Sequence, residues 1–80
     1  MRVEIKILGM AKKYSAYPES SGKFLTLDFS ENSTVEEVLD KLGLPRDIPL
    51  LLILNEKESH LGQTLKEGDQ LIICPPIYGG

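Results

Sequence analysis

The residues at which this sequence could do chemistry are few, and they gather at its C-terminal end. The last stretch is Pro75-Pro76-Ile77-Tyr78-Gly79-Gly80. It closes on a carboxylate with no side chain beside it, and the glycine before it tolerates almost any φ. The two prolines act in the opposite sense. Each fixes φ and removes a backbone donor, so a strand cannot go on pairing through them. The expected result is a stiff stem carrying a slender tip. Fully extended, such a stretch reaches about 20 Å, far enough to enter a pocket of another protein while the folded body stays outside. Gly80 is therefore the expected reacting group, and Gly79 keeps the approach to it free of a side chain.

Other reactive side chains offer less. Cys74 is the only cysteine and has no base or cation next to it in sequence, so a packing or interface role is expected. One cysteine also rules out an internal disulfide framework. His60 is the only histidine and sits in a polar stretch, which reads as a surface turn and not as a general base. Metal ligands are too few for a site to be expected.

Bulk composition narrows the partners. Twelve acidic residues stand against nine basic ones, for a net charge of −3, and the longest basic run is Lys12-Lys13. A surface of that kind disfavours nucleic acid, whose phosphates require a concentrated positive patch. A basic protein partner suits it better. Hydrophobic content of 41% with 26% charged residues is that of a folded soluble domain. Nothing approaches an apolar run of membrane-spanning length. Met1-Arg2-Val3-Glu4-Ile5-Lys6 alternates where a signal peptide would be continuously apolar. The expected location is the cytoplasm.

Periodicity then supplies the elements that must position the tail. In residues 2–8, Val3, Ile5 and Ile7 share one face while Arg2, Glu4 and Lys6 share the other, the pattern of a half-buried strand. Residues 9–22 hold no clean period and read as a long loop. Alternation returns in residues 23–29, with Leu25, Leu27 and Phe29 on one side. A helix follows. Ser33 and Thr34 are alternative N-caps, each with a glutamate three residues on (Glu36 or Glu37), which is the capping-box spacing. Val35, Val38, Leu39 and Leu42 form one apolar stripe. Gly43 supplies the left-handed stop, Leu44 the apolar residue beyond it, and Pro45 prevents resumption.

Beyond Pro49, Leu50-Leu51-Leu52-Ile53-Leu54 reads as a buried central strand. Residues 55–60 are polar and turn-like, and 61–65 fit either a short edge strand or a helical turn. Leu65-Lys66-Glu67-Gly68-Asp69 makes a tight turn with Gly68 available for positive φ. It delivers a last strand, 70–74, whose Leu71 and Ile73 should face the helix and whose Ile72 and Cys74 should face away.

This order predicts an α+β fold, a ubiquitin-like β-grasp with a mixed four- to five-stranded sheet over one main helix. Residues 1–74 would form the domain and 75–80 an extended Gly-Gly tail. The first and last strands would pair in parallel at the sheet centre. Leu8, Ile72 and Cys74 would then form an apolar patch on the open sheet face, beside the root of the tail, as partner contacts.

Residues 65–80 combine a Gly-Asp turn, a short strand, Pro75-Pro76, two further residues and a terminal Gly79-Gly80. In this they resemble the MoaD/ThiS-type sulfur carriers, a ubiquitin-like family that includes the small subunit of molybdopterin synthase. Asn55 ahead of the acidic turn and the helix-then-strand order fit as well. The Pro-Pro pair is closer to the molybdopterin branch, while residues 9–22 are shorter than that branch's counterpart and leave the sulfur acceptor open.

The resemblance implies a sulfur carrier rather than an enzyme in isolation. A partner adenylyltransferase related to ubiquitin-activating enzymes would use ATP to form a Gly80 acyl-adenylate, and sulfur transfer would make a thiocarboxylate. That sulfur would go to a pterin precursor on the large subunit of molybdopterin synthase, or to another acceptor such as tRNA or a thiamin precursor. No cofactor is expected on the chain itself. Pro75, Pro76 and Ile77 would line the docked tail; Tyr78 would either anchor it or be tolerated there. Two alternatives share the fold: a protein modifier whose Gly80 ends in an isopeptide bond, and a β-grasp binding module that never uses its terminus.

Overall fold

Alternation in the first segment does what a pleat requires. In a computed structural model, which describes residues 1–8, 23–44 and 49–74, strand β1 spans Arg2–Ile7 and buries Val3, Ile5 and Ile7 completely. Strand β2 (Leu25–Asp28) runs antiparallel to it with Val3 opposite Leu27 and Ile5 opposite Leu25. Backbone bonds between Met1 and Phe29 extend this ladder by one pair. The expected loop 9–22, the Pro45 stop and the tail 75–80 lie outside the described residues.

Helix α1 (Val35–Leu42) buries Val35, Val38, Leu39 and Leu42, the stripe its spacing foretold. It begins after Thr34, whose backbone is extended, but no side chain caps it. The expected capping box is replaced by main chain. Val35 N–H donates to the Gln63 carbonyl (2.9 Å) and Glu36 N–H to that of Leu61 (3.0 Å), while Leu65 N–H donates to Ser33 (2.8 Å). Thus the 61–65 segment, which fitted two readings, is a turn followed by an isolated bridge between Thr64 and Thr34, and its carbonyls satisfy the helix's orphan donors. At the other end Gly43 sits at φ 75°, and Leu44 N–H reaches back to the Leu39 carbonyl (3.0 Å). That geometry requires a left-handed residue, which glycine supplies without a Cβ clash.

Strands β3 (Leu51–Leu54), β4 (Lys57–Glu58) and β5 (Gln70–Cys74) complete a sheet of order β2-β1-β5-β3-β4. The first and last strands pair in parallel, with Ile5 beside Leu71 and Ile7 beside Ile73; the other neighbours are antiparallel. The central strand is β5, not the segment around Leu52. Within β3 only Leu52 is buried, because one helix covers one sheet face and β3 lies to one side of the middle. A hairpin also stands where only a turn was expected. Asn55 and Glu56, at φ 50° and 72°, link β3 to β4, the positive-φ pair typical of two-residue hairpin loops.

Side chains pin this hairpin to the start of β5. Asn55 Oδ1 accepts from Gln70 N–H (2.9 Å) and Asn55 Nδ2 donates to Asp69 Oδ1 (2.8 Å), whose other oxygen accepts from Lys66 N–H (2.7 Å). Gly68 takes φ 82° in the preceding turn. The core gathers on the helix side: Val3, Ile5, Ile7, Leu71 and Ile73 from the sheet meet α1, Leu44, Leu52 and Leu65. This is the ubiquitin-like β-grasp fold, a mixed sheet over one main helix.

Candidate functional site

Because the helix shields one face, every second sheet residue is turned away from the core. On β5 these are Gln70, Ile72 and Cys74, the last two half-buried; on β1 they are Arg2, Glu4 and Lys6, with Leu8 next in the alternation just beyond the strand's end. Leu8 N–H donates to the Ile73 carbonyl (2.9 Å), so Leu8 comes alongside Cys74. The three apolar residues expected to share this face, Leu8, Ile72 and Cys74, are therefore brought together.

Register adds residues that sequence reasoning missed. Leu51 lies opposite Cys74 and Ile53 opposite Ile72, and directly opposed residues project to the same side. Leu51 is 37% exposed, as is Phe24 at 38%. The Phe24 ring lies beneath the Lys6 ammonium, 4.5 Å from its centroid, a cation–π contact at the margin of the patch. A continuous apolar run had concealed the open half of β3. The available signal was architectural: a single helix cannot cover both faces of a strand.

Polar groups frame the patch on the side away from the chain end. Gln70 Nε2 approaches Glu4 Oε1 (3.3 Å), and Arg2 faces Asp28 at 3.8 Å, a largely exposed pair that contributes little to stability. At the opposite end β5 finishes at Cys74. The tail residues Pro75, Pro76, Ile77, Tyr78, Gly79 and Gly80 begin there in sequence and lie outside the described residues.

His60 is exposed beside a turn, as its surroundings in sequence suggested. Cys74 is a free thiol. Among the described residues no three His, Cys, Asp or Glu side chains come together to hold a metal ion, and no helix is long and apolar enough to cross a membrane. What the arrangement can do is present an apolar surface at the end of the strand that leads to the C-terminus.

The sequence profile of the ThiS family matches residues 17–80. The chain belongs to the ThiS family. Its relatives are the MoaD/ThiS-like β-grasp sulfur carriers, among them the molybdopterin synthase small subunit, and sulfur carriage is the general function of the family. No curated protein matches the chain. Solved structures resemble this ThiS-family chain in fold. SAMP1 from Haloferax volcanii superposes with a TM-score of 0.73 at 21% identity over 100% of both chains. A putative molybdopterin converting factor subunit 1 from Pyrococcus furiosus gives 0.70 at 13% identity, over 96% of this chain and 99% of that one. A chain from the complex of subunits 1 and 2 of the molybdopterin-converting factor of Helicobacter pylori gives 0.61 at 23% identity over 100% of both.

Proposed function

We propose that the C-terminal carboxylate of Gly80 is activated as an acyl-adenylate and converted to a thiocarboxylate that donates sulfur in molybdopterin biosynthesis. The observation that carries this reading is the family match, which runs through Gly79 and Gly80 to the last residue. The fold supports it by ending the central strand of the sheet, at Cys74, beside an apolar open face.

A carboxylate resists nucleophiles because its leaving group is oxide. Attack of its oxygen on the α-phosphorus of ATP releases pyrophosphate and leaves an acyl-adenylate, from which AMP departs readily. The terminal sulfur of a donor persulfide attacks the carbonyl carbon and expels AMP. A second thiol then reduces the resulting acyl disulfide, giving the thiocarboxylate and a disulfide on the donor side. Once the sulfur has passed to a pterin precursor and the acyl group is hydrolysed, the Gly80 carboxylate is restored. The reacting group that this chain brings to the cycle is its terminus. Leu8, Leu51, Ile53, Ile72 and Cys74 dock the body on the adenylyltransferase and then on the acceptor's large subunit, so each step becomes effectively intramolecular. Residues 75–78 carry Gly80 into the active site of the partner. The cycle is assigned in this reading to the cytoplasm.

Intact mass spectrometry after incubation with an adenylyltransferase, ATP and a persulfide donor tests the reading. The expected gain is the difference between one sulfur and one oxygen, absent from a chain lacking Gly80. A ladder of lysine conjugates would instead assign the terminus to protein modification, and an unchanged mass with an active enzyme would leave a plain binding module.

A further inference from the structure

Apolar burial has no direction of its own. A partner turned half a revolution about the normal to the open face would cover much the same hydrophobic area, yet would send the tail away from its active site. Something on the face must distinguish the two orientations.

The registers identify it. Lys6 pairs with Ile72, Ile72 with Ile53, and Ile53 with Glu58, so these four side chains form one transverse row across β1, β5, β3 and β4. The centre is apolar, one end is a cation and the other an anion. Neighbouring strands lie ~4.8 Å apart, which sets the backbone positions of Lys6 and Glu58 about 14 Å from each other along the row. At that spacing the two charges interact weakly with one another through water and salt, and each is available to a group on a partner. Lys6 is also held in place. Its ammonium rests over the Phe24 ring at 4.5 Å and its side chain is half-buried, so little rotamer freedom remains to be lost on binding. Among the described residues neither Lys6 nor Glu58 forms an ion pair.

We propose that this row fixes the orientation in which the adenylating enzyme docks. The partner surface is an apolar patch flanked by an acidic side chain on the β1 side, facing Lys6, and a basic side chain on the β4 side, facing Glu58. Half a turn would bring like charges together at both ends, which is how charge patterns reject wrong registers. The proposal rests on the reading of the open face as the docking surface given above.

The test reads affinity rather than turnover: calorimetric titration of the full chain with the adenylating enzyme of the same organism, at low and high salt. Lys6→Glu and Glu58→Lys should each weaken binding about tenfold, with the penalty shrinking as salt rises. Lys6→Arg should bind as the parent does. Lys6→Glu combined with Glu58→Lys should recover most of the affinity lost in the single changes, because the partner turned half round then meets opposite charge at both ends, and should leave Gly80 unmodified. Thermal melting checks that each variant is folded. Single reversals within about twofold of the parent would overturn the proposal. Ile72→Asp separates the two ideas. If it alone destroys binding, the face docks but the row does not orient it; if it too binds normally, the docking surface lies elsewhere and both ideas fall. A partner that binds yet leaves Gly80 unmodified would count against the chemistry of the tail while still testing the row.

Discussion

At the scale of single residues, the chemistry and the fold make separate demands on glycine and asparagine. Gly80→Ala should leave the melting temperature unchanged, since residue 80 follows the last strand, but should abolish adenylation by crowding the carbonyl carbon; ATP–pyrophosphate exchange is the measurement. Asn55 is a structural position. Its side chain bonds both Gln70 and Asp69, and its φ is 50°, a conformation that asparagine tolerates better than most residues. Asn55→Ala should cost about 2 kcal/mol in urea denaturation through lost hydrogen bonds and left-handed strain. Glu56, at φ 72°, lacks such compensation. Glu56→Gly should raise stability by up to about 1 kcal/mol in the same experiment. The significance of Asn55 was visible in the sequence only as part of a resemblance; its bonds to β5 depend on a pairing between segments 15 residues apart, which no local pattern encodes.

At the scale of elements, β5 carries the two functions of the sheet on alternate residues. Ile73 is fully buried against the helix side and Ile72 is half-buried on the open face. Ile73→Ala should destabilise by about 3 kcal/mol and Ile72→Ala by clearly less than half of that, while only Ile72→Ala should weaken partner binding at a temperature where both variants are folded. Differential scanning calorimetry and a binding titration together read the contrast. Strict alternation made β1 legible in the sequence, the 65–69 turn did so for the start of β5, and the apolar stripe from Val35 to Leu42 did the same for the helix. The β3 segment was not, because five consecutive apolar residues conceal which of them face the core. Nor was the helix start: the sequence offers a capping box, but the carbonyls of Leu61 and Gln63 reach the same donors first. Tertiary structure displaced a sound local signal.

At the scale of the whole molecule, the fold is assembled from its sequence-distant ends, with β1 and β5 paired in parallel. Contacts of that separation form late and depend on everything between them. Amide exchange should therefore be slowest in Ile5, Ile7, Leu71 and Ile73, opening only with global unfolding, and fastest in the Lys57–Glu58 edge strand. A hydrogen-exchange experiment that found the β3–β4 hairpin as protected as β5 would contradict this order. The central parallel pairing was legible from element order alone, since a β-grasp sheet has one helix to cover it and must place its terminal strands beneath that helix.

The position of β5 has a mechanical consequence. A load drawing on the chain beyond Cys74 acts along a strand clamped by β1 on one side and β3 on the other, and if the opposing grip is the N-terminal end of β1, the parallel ladder is placed in shear. All its hydrogen bonds then resist together, whereas a strand peeled from an edge would surrender them one at a time. In the proposed cycle, an end drawn in turn into partner active sites would thus be anchored at the part of the sheet that is hardest to unzip.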